Sequence, residues 1–259
     1  MKLWLEQRLG DLSDRCRIFS YDCLPSTNTT AKELAKDGAP DGSVVIADEQ
    51  SAGRGRMTRS FFSPGGTGLY MSVIIRRDLL ATDALRLTTT AAVATAQAIE
   101  SMGRAVQIKW VNDIYLAGKK VCGILTEGAV APGGKKLDYA VIGIGVNIAP
   151  PKDGFPEEIK GIAGSVFDRV EDAFSVRGEL ALGILQRLMN YLRFDNTSTI
   201  YDEYCRRSLV IGKQVTVHRG EEQPHLCEAV GIDRDYRLIV RTLDGKETAL
   251  DSGEVSIKM

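Results

Sequence analysis

A short segment rich in glycine and arginine is the first part of the sequence that could do chemistry. Residues 53–62 read GRGRMTRSFF, and they bring Arg54, Arg56 and Arg59 close together. Guanidinium groups offer forked donors that suit carboxylates and phosphates, and the glycines let the backbone approach a ligand closely. The segment predicts an anion-binding loop, although a solvated surface loop or a nucleic-acid contact is an alternative.

A second segment, KWVNDIYLAGKKVCGILTEG at 109–128, predicts two strands around a polar connection. Its polar residues are Lys109, Asn112, Asp113, Lys119 and Lys120. A lysine ammonium here could reach a ligand held by the arginine segment. The alternatives are that Asn and Asp only form the turn and that the lysines face solvent. Gly123 within a strand indicates either close approach of a ligand or a bulge.

The composition excludes several classes of protein. There are 33 Lys and Arg against 34 Asp and Glu, so no global basic field favours general binding of nucleic acid. The histidines, His218 and His225, lie near the C-terminus, which disfavours a histidine base or triad in the first 210 residues. None of the Gly-Lys pairs is followed by Ser or Thr, so the Walker phosphate loop is absent from the sequence.

Cysteine usage and hydropathy bear on location. The five cysteines form no C-x-x-C pair, which favours reduced thiols over a disulfide framework or zinc cage. The N-terminus, MKLWLEQRLGDLSDR, is interrupted by charge too early for a secretory signal. No apolar run approaches the ~18 residues that span a bilayer. We therefore expect a soluble, cytoplasmic protein with no membrane contact.

The hydrophobic pattern predicts an α+β fold in which a mixed β-sheet packs on helices. Predicted helices are 29–37, 83–102 and 176–192. Predicted strands are 43–48, 69–75, 106–110, 114–116, 121–128 and 139–148, with a hairpin tip at 131–136. Beyond residue 210 short alternating strands predict a small β-barrel, so we divide the chain into a catalytic domain, 1–210, and a C-terminal domain, 211–259.

Several motifs together resemble the biotin protein ligases, in particular the short kind without an N-terminal DNA-binding domain. They are STN at 26–28, QSAGRGR at 50–56, FSPGGTGLYMSV at 62–73, KWVND at 109–113, KKVCGILTE at 119–127 and VIGIGVNI at 141–148. The resemblance covers residues 18–150 firmly. It implies a fold like that of class II aminoacyl-tRNA synthetases, followed by an SH3-like barrel.

The resemblance implies a two-step reaction. The carboxylate of biotin attacks the α-phosphate of ATP to give biotinyl-5′-AMP, and a lysine of a carrier protein then attacks this anhydride. The implied catalytic residues are Lys120, Arg54 and Asp113. The implied biotin-binding residues are Ser26, Thr27, Asn28, Gln50, Gly53, Arg54, Gly55, Arg56, Lys120, Gly123 and Gly143. The implied nucleotide-binding residues are Arg56, Arg59, Asn112 and Asn147.

The same resemblance implies Mg²⁺ with the ATP, although no metal-ligand spacing identifies its site. It implies as partner a biotin carboxyl carrier protein or domain of a biotin-dependent carboxylase, and a homodimer is possible. DNA binding is not expected, because only 16 residues precede Arg17. Three departures from the family pattern are Thr58 in place of Gly, Phe61 in place of Trp and Val111 in place of Pro. Phe61 keeps an aromatic wall without an indole donor, and Val111 is tolerable at a strand end.

Alternatives to this hypothesis remain at the level of sequence. A lipoate or octanoate ligase or transferase has a related fold, and the acid that stimulates pyrophosphate exchange distinguishes it. A non-enzymatic regulator that binds biotin or nucleic acid is distinguished by an operator-binding assay at physiological salt. The STN motif at 26–28 could also be only a helix cap.

Overall fold

The computed structural model describes residues 1–57, 59–170, 173–193, 197–218 and 223–257, so Thr58, at which the sequence departs from the family pattern, lies outside the described residues. The helices are α1 (Lys2–Glu6), α2 (Thr27–Lys36), α3 (Ala84–Glu100), α4 (Glu157–Lys160), α5 (Ala173–Arg193) and α6 (Thr197–Arg206). The first eight strands are β1 (Ile18–Leu24), β2 (Val44–Gln50), β3 (Gly68–Ile75), β4 (Leu79–Leu80), β5 (Gln107–Lys109), β6 (Asp113–Leu116), β7 (Lys119–Val130) and β8 (Lys136–Asn147). The last five are β9 (Gln214–His218), β10 (His225–Ile232), β11 (Leu238–Thr242), β12 (Glu247–Leu250) and β13 (Glu254–Ile257).

The strands β1 to β8 form one mixed sheet, which we call the main sheet. Its order is β1-β2-β3-β8-β7-β6-β5, and β4 pairs with the start of β8. The β1 and β2 strands are parallel, as expected for strands joined by a helix, whereas the other neighbours are antiparallel. The main sheet confirms the predicted α+β class.

Helices cover both faces of the main sheet. The β3 strand is buried along its whole length, in agreement with its nearly continuous apolar sequence. One face packs on α2 through a small cluster that includes Ala31, Ala35 and Ile74. The opposite face packs on α3 and α5, and the small side chains of α3 let it lie deep in the larger core. Burial on both faces fixes β3 and β8 as a rigid base for the residues that they carry.

The strands β9 to β13 form a second sheet, the small sheet, which is antiparallel in the order β12-β11-β10-β9-β13. This arrangement is consistent with the expected SH3-like unit. It contacts the β5–β6 connection and α6: the Trp110 indole N–H donates to the Tyr236 carbonyl at 3.0 Å, and the Tyr204 and Tyr236 rings meet edge to face. The domain boundary at residue 210 stays a prediction.

Every helix and strand predicted from the sequence has a counterpart, with ends that differ by a few residues. The elements that the sequence analysis missed include β1 and α6. The β1 strand is an edge strand that buries only Ile18 fully, so its sequence lacks a clear alternation. The five cysteines are free thiols, as expected. In the part of the chain that the structure describes, no helix is long and apolar enough to cross a membrane.

Candidate active site

One cavity lies over β7 and β8 of the main sheet and is covered by the arginine segment. Its walls come from α2, β2, the arginine segment, the β5–β6 connection and the small sheet. The lining residues are Ser26, Thr27, Asn28, Gln50, Arg54, Gly55, Arg56, Met57, Arg59, Ser60, Phe61, Lys109, Trp110, Asn112, Asp113, Lys120, Gly123, Ile124, Leu125, Gly143, Ile144, Gly145 and Val255. The structure therefore gathers almost all of the sequence-predicted site residues around one space.

Glycines form the floor of the cavity. Gly123 of β7 pairs with Gly145 of β8, and Gly143 lies two residues along the same strand face. A Cβ atom on Gly145 would lie 2.6 Å from the Phe61 ring, and one on Gly143 would collide with the Asn28 side chain. The glycines are therefore required because side chains from other elements pack directly on the strand backbone.

One end of the cavity is neutral and polar. The backbone N–H of Thr27 and its hydroxyl both donate to Gln50 Oε1, at 2.8 and 3.1 Å, and Gln50 Nε2 donates to Ser63 Oγ at 2.8 Å. The buried Ser72 hydroxyl lies 2.8 Å from Thr27 Oγ1 and 2.6 Å from Asn28 Oδ1. This network fixes the hydroxyl and amide groups in place, which pre-organises them for a ligand with several hydrogen-bonding atoms.

Ser26 is the N-cap residue of α2, as the alternative hypothesis required. Its side chain, however, makes no capping hydrogen bond, and Ser26 is buried at the edge of the cavity. The cap position explains where the residue lies along the chain. The cap position does not explain why this side chain carries a hydroxyl, because the hydroxyl makes no capping hydrogen bond. The hydroxyl remains a candidate ligand contact.

A carboxylate joins the polar end to the arginine segment. Glu127 Oε2 accepts from Asn28 Nδ2 at 2.9 Å, and Glu127 Oε1 lies 2.8 Å from Lys32 Nζ and 3.1 Å from Arg54 Nη1. Burial raises the pKa of Glu127, but the hydrogen bonds from Lys32 and Asn28 and the charge of Arg54 outweigh it, so the pKa lies below its ordinary value of 4.5. Glu127 is therefore ionised near neutral pH.

The other end of the cavity carries positive charge. Arg56 Nη1 donates to Asn112 Oδ1 at 3.1 Å, and its Nη2 donates to the Gly253 carbonyl of the small sheet's last turn at 3.2 Å. Lys120 Nζ lies 2.7 Å from Asp113 Oδ1, so the two side chains form an ion pair. Anions that enter this end would meet Arg56 and Lys120 together.

Two predicted residues are not brought to the cavity wall. Gly53 lies at the base of the arginine segment, where its carbonyl accepts the Phe61 N–H at 2.8 Å and a Cβ atom would collide with the Phe61 carbonyl. Asn147 donates instead to the Gly164 carbonyl at 2.9 Å. Their predicted ligand contacts, like the roles of the other site residues, stay predictions.

The residues at the site that were not anticipated from the sequence include Lys32, Ser72 and Glu127. Glu127 ends the KKVCGILTE motif, yet its partners Asn28 and Lys32 lie about a hundred residues earlier in the chain. The available signal was that a glutamate closely follows the apolar run VCGIL at 121–125. Contacts of such long range follow from the strand order and not from local sequence.

Known proteins match most of the length of this chain. Residues 20–147 match the Biotin/lipoate A/B protein ligase family, and residues 210–258 match the Biotin protein ligase C terminal domain. The Bifunctional ligase/repressor BirA of Bacillus spizizenii is 36% identical over 234 residues, which cover 88% of this chain and 70% of the relative. The Biotin--[acetyl-CoA-carboxylase] ligase of Paracoccus denitrificans is 32% identical over 86% of this chain and 93% of its own length.

A solved structure gives the same result. The biotin protein ligase from Aquifex aeolicus in complex with biotin and ATP superimposes with a TM-score of 0.74 at 26% identity, over 93% of this chain and 98% of the other. The fold and the cavity thus define an enzyme of the ligase class. The chain belongs to the biotin protein ligase family.

Proposed function

We propose that the chain activates biotin with ATP to form biotinyl-5′-AMP and then transfers the biotinyl group to a lysine of a carrier protein. The observation that carries this proposal is the division of one cavity into a neutral polar end and a cationic end. A molecule with a polar, uncharged head and a carboxylate tail fits such a division. Biotin is of this kind, and the solved relative from Aquifex aeolicus was crystallised with biotin and ATP.

The neutral end would hold the head group of biotin. Its ureido ring offers one carbonyl acceptor and two N–H donors, which Ser26, Thr27, Asn28 and Gln50 can complement. The bicyclic body would lie on the glycine floor below Phe61. Fixed polar groups that surround an apolar body provide the specificity of small-molecule sites.

The cationic end would perform the first step. A carboxylate approaches an anionic phosphate there, so the enzyme must supply positive charge where negative charge accumulates. We assign this role to Arg56 and Lys120. The carboxylate of biotin is already ionised near neutral pH, so the step requires no general base. The absence of a histidine among the described lining residues is therefore no obstacle.

The second step needs a proton acceptor, because the carrier lysine must lose a proton before it attacks the anhydride. Asp113 is the carboxylate among the described cavity-lining residues, and it contacts Lys120. We assign it to orient the incoming amine and accept its proton. The arginine segment covers the cavity, so it would protect the anhydride from water before transfer.

Mg²⁺ would enter with ATP. Among the described residues no group of three or more His, Cys, Asp and Glu could hold a metal ion. Mg²⁺ commonly keeps several waters and binds through substrate phosphates with one or two carboxylates, a mode that needs no protein cage. Asp113 would be the nearby carboxylate, and the ion would offset charge on the phosphates.

The carrier would be the biotin carboxyl carrier protein or domain of a biotin-dependent carboxylase. This proposal rests on the name of the Paracoccus denitrificans relative, a biotin--[acetyl-CoA-carboxylase] ligase. The absence of DNA binding, the cytoplasmic location and a homodimer stay predictions. The Bacillus spizizenii relative is named a repressor as well as a ligase, so an operator-binding assay is the relevant test.

Identification of the acyl-adenylate tests the proposed function against its main alternative, a lipoate or octanoate ligase. The purified protein is incubated with MgATP and biotin, lipoate or octanoate, and the nucleotide products are separated and identified by mass. We expect biotinyl-5′-AMP alone. Lipoyl-5′-AMP as the main product would assign the chain to the lipoate branch, and no adenylate with any acid would contradict the proposal.

A further inference from the structure

We propose that Glu127 is a positioning residue that fastens the arginine segment to the main sheet, and that this single carboxylate orders both the polar end and the cover of the cavity. The inference rests on the proposed function only for the identity of the ligand. The geometry concerns the protein alone.

The position of Glu127 follows from strand register. Gly123, Leu125 and Glu127 alternate along one face of β7, and the first two line the cavity. Glu127 is therefore the next side chain in the row that forms the cavity floor. Its side chain is 20% exposed, so it borders the cavity and lies partly under the groups that contact it.

Three donors from two other elements converge on this carboxylate. Asn28 and Lys32 lie one helical turn apart on α2, and both reach Glu127, at 2.9 and 2.8 Å. Arg54 of the arginine segment places Nη1 at 3.1 Å from Oε1 and 3.2 Å from Oε2. An isolated exposed ion pair contributes little, but a network with a partly buried acceptor and several donors holds its members in one geometry.

The network has two consequences for the site. The Asn28 amide nitrogen donates to Glu127 and also to the Leu125 carbonyl at 3.2 Å, so the amide oxygen faces Ser72. The orientation in which Asn28 meets a ligand is therefore fixed. The charge of Arg54, in turn, is neutralised by Glu127, and this ion pair tethers the arginine segment to the main sheet. In this arrangement Arg56 and Lys120, and not Arg54, provide the positive charge for the reaction.

Loss of the tether should expose the arginine segment. Trypsin cleaves after arginine only where the backbone can leave its folded conformation, so cleavage after Arg56 and Arg59 reports local opening. Glu127→Gln keeps the size of the side chain and an acceptor for Asn28, but it removes the charge that Arg54 and Lys32 contact. Glu247→Gln is the matched control, because Glu247 also pairs with an arginine, Arg241, on the small sheet at 2.7 Å.

We expect cleavage after Arg56 or Arg59, identified by mass, to be about fivefold faster in Glu127→Gln than in the wild type or Glu247→Gln. Cleavage elsewhere in the chain should not change, whereas a general loss of stability would accelerate it everywhere. Arg54→Met breaks the same contact from the other side and should give the same pattern. Cleavage rates in both variants within twofold of the wild type would overturn the proposal.

A second readout connects the tether to catalysis. The rate at which labelled biotinyl-5′-AMP leaves the enzyme, measured without carrier, should rise about tenfold in Glu127→Gln, and the KM for biotin should rise more than kcat falls. Unchanged dissociation together with unchanged cleavage contradicts the role of Glu127. A wild-type protein that forms no adenylate contradicts the proposed function instead, and the trypsin comparison still decides whether Glu127 is the tether.

Discussion

At the scale of single residues, three of the cations that line the cavity differ in the charge of the groups they contact. Arg54 lies on Glu127 and Lys120 on Asp113, whereas Arg56 contacts an amide oxygen and a backbone carbonyl. A ligand carboxylate or phosphate can therefore engage Arg56 without displacing a protein anion. Lys120 must exchange Asp113 for the ligand, which would release Asp113 for the second step.

Removal of the Lys120 ammonium tests its role in adenylation. Lys120→Met keeps most of the side-chain length and should lower kcat for biotin-dependent pyrophosphate exchange about 100-fold, because a preorganised charge at the reacting phosphate is lost. Lys119→Met is the control, since Lys119 contacts the Gly161 carbonyl and does not line the cavity. Exchange within threefold of the wild type in Lys120→Met would remove Lys120 from the mechanism.

The glycine floor leads to a separate prediction. In Gly145→Ala the new methyl group would lie 2.6 Å from the Phe61 ring, so the ring and the arginine segment must shift. We expect the KM for biotin to rise about tenfold, measured at saturating ATP. Gly231→Ala on β10 is the control, because a Cβ atom there meets nothing within 4 Å. Equal KM values in the two variants would show that the floor does not set the biotin site.

At the scale of elements, the arginine segment is held between both sheets. Arg54 reaches the main sheet at Glu127, and Arg56 reaches the turn before β13 at the Gly253 carbonyl. Within the segment, the Gly55 N–H donates to the Arg59 carbonyl at 2.7 Å, which closes it into a compact loop. The small sheet is thus a wall of the cavity, and Val255 contributes to its lining.

Substitution of Gly253 tests the contribution of the small sheet. Gly253 has φ of +113°, and a Cβ atom would lie 3.0 Å from the His218 carbonyl, so Gly253→Ala should shift the carbonyl away from Arg56. Gly245→Ala is the matched control, with φ of +85° and open space. Both should lose about 1 kcal/mol of stability, but only Gly253→Ala should lower kcat/KM for ATP, about fivefold. The same kcat/KM in both variants would separate the small sheet from catalysis.

The sequence predicted most elements because their local patterns were clear. The apolar run of β3 and the alanine-rich α3 needed no knowledge of their neighbours. The α6 helix was missed since it begins with Thr and Ser, which have low helix propensity, and buries only Ile200 and Tyr204. What fixes it is tertiary: the Tyr204 hydroxyl donates to the Val111 carbonyl at 3.0 Å, beside the predicted site motif.

At the scale of the whole molecule, a buried arginine joins α3 and α6, two helices that lie far apart in the sequence. Arg207, which directly follows α6, is 4% exposed and contacts Glu100 of α3 and Glu203 of α6. Hydrogen bonds from Arg207 and Arg206 lower the pKa of Glu203 from 4.5 to about 2. The contact supports the region where the Ile108 N–H donates to the Arg207 carbonyl at 2.7 Å, next to the KWVND motif.

This cluster predicts a pH dependence of stability. Because the folded protein binds a proton at Glu203 less readily than the unfolded chain does, its contribution is complete above about pH 4.5 and is lost as the pH falls towards 2. Glu203→Gln should lower the free energy of unfolding by about 2 kcal/mol at pH 7, less than the ~3–5 kcal/mol for a buried ion that loses its only partner. Urea unfolding from pH 7 to pH 3 measures both values. A difference between variant and wild type that does not shrink towards pH 3 would contradict this account.

The sequence predicted that several motifs share one cavity, but not which of its residues contact one another. Motifs spread over residues 26–145 indicated one site, and the strand order of the main sheet brings them together. The sequence could not show that Arg54 contacts Glu127, 73 residues away, or that Arg56 contacts Gly253, 197 residues away. The first pairing depends on the strand order of the main sheet, and the second on where the small sheet meets the arginine segment.

Biotin-dependent exchange of labelled pyrophosphate into ATP tests the central claim most directly. The purified wild-type protein is assayed without a carrier, with lipoate and octanoate in parallel. The proposed function predicts exchange that requires biotin and that falls about 100-fold in Lys120→Met but not in Lys119→Met. Exchange with lipoate or octanoate in place of biotin, or no exchange with any of the three acids, would contradict it.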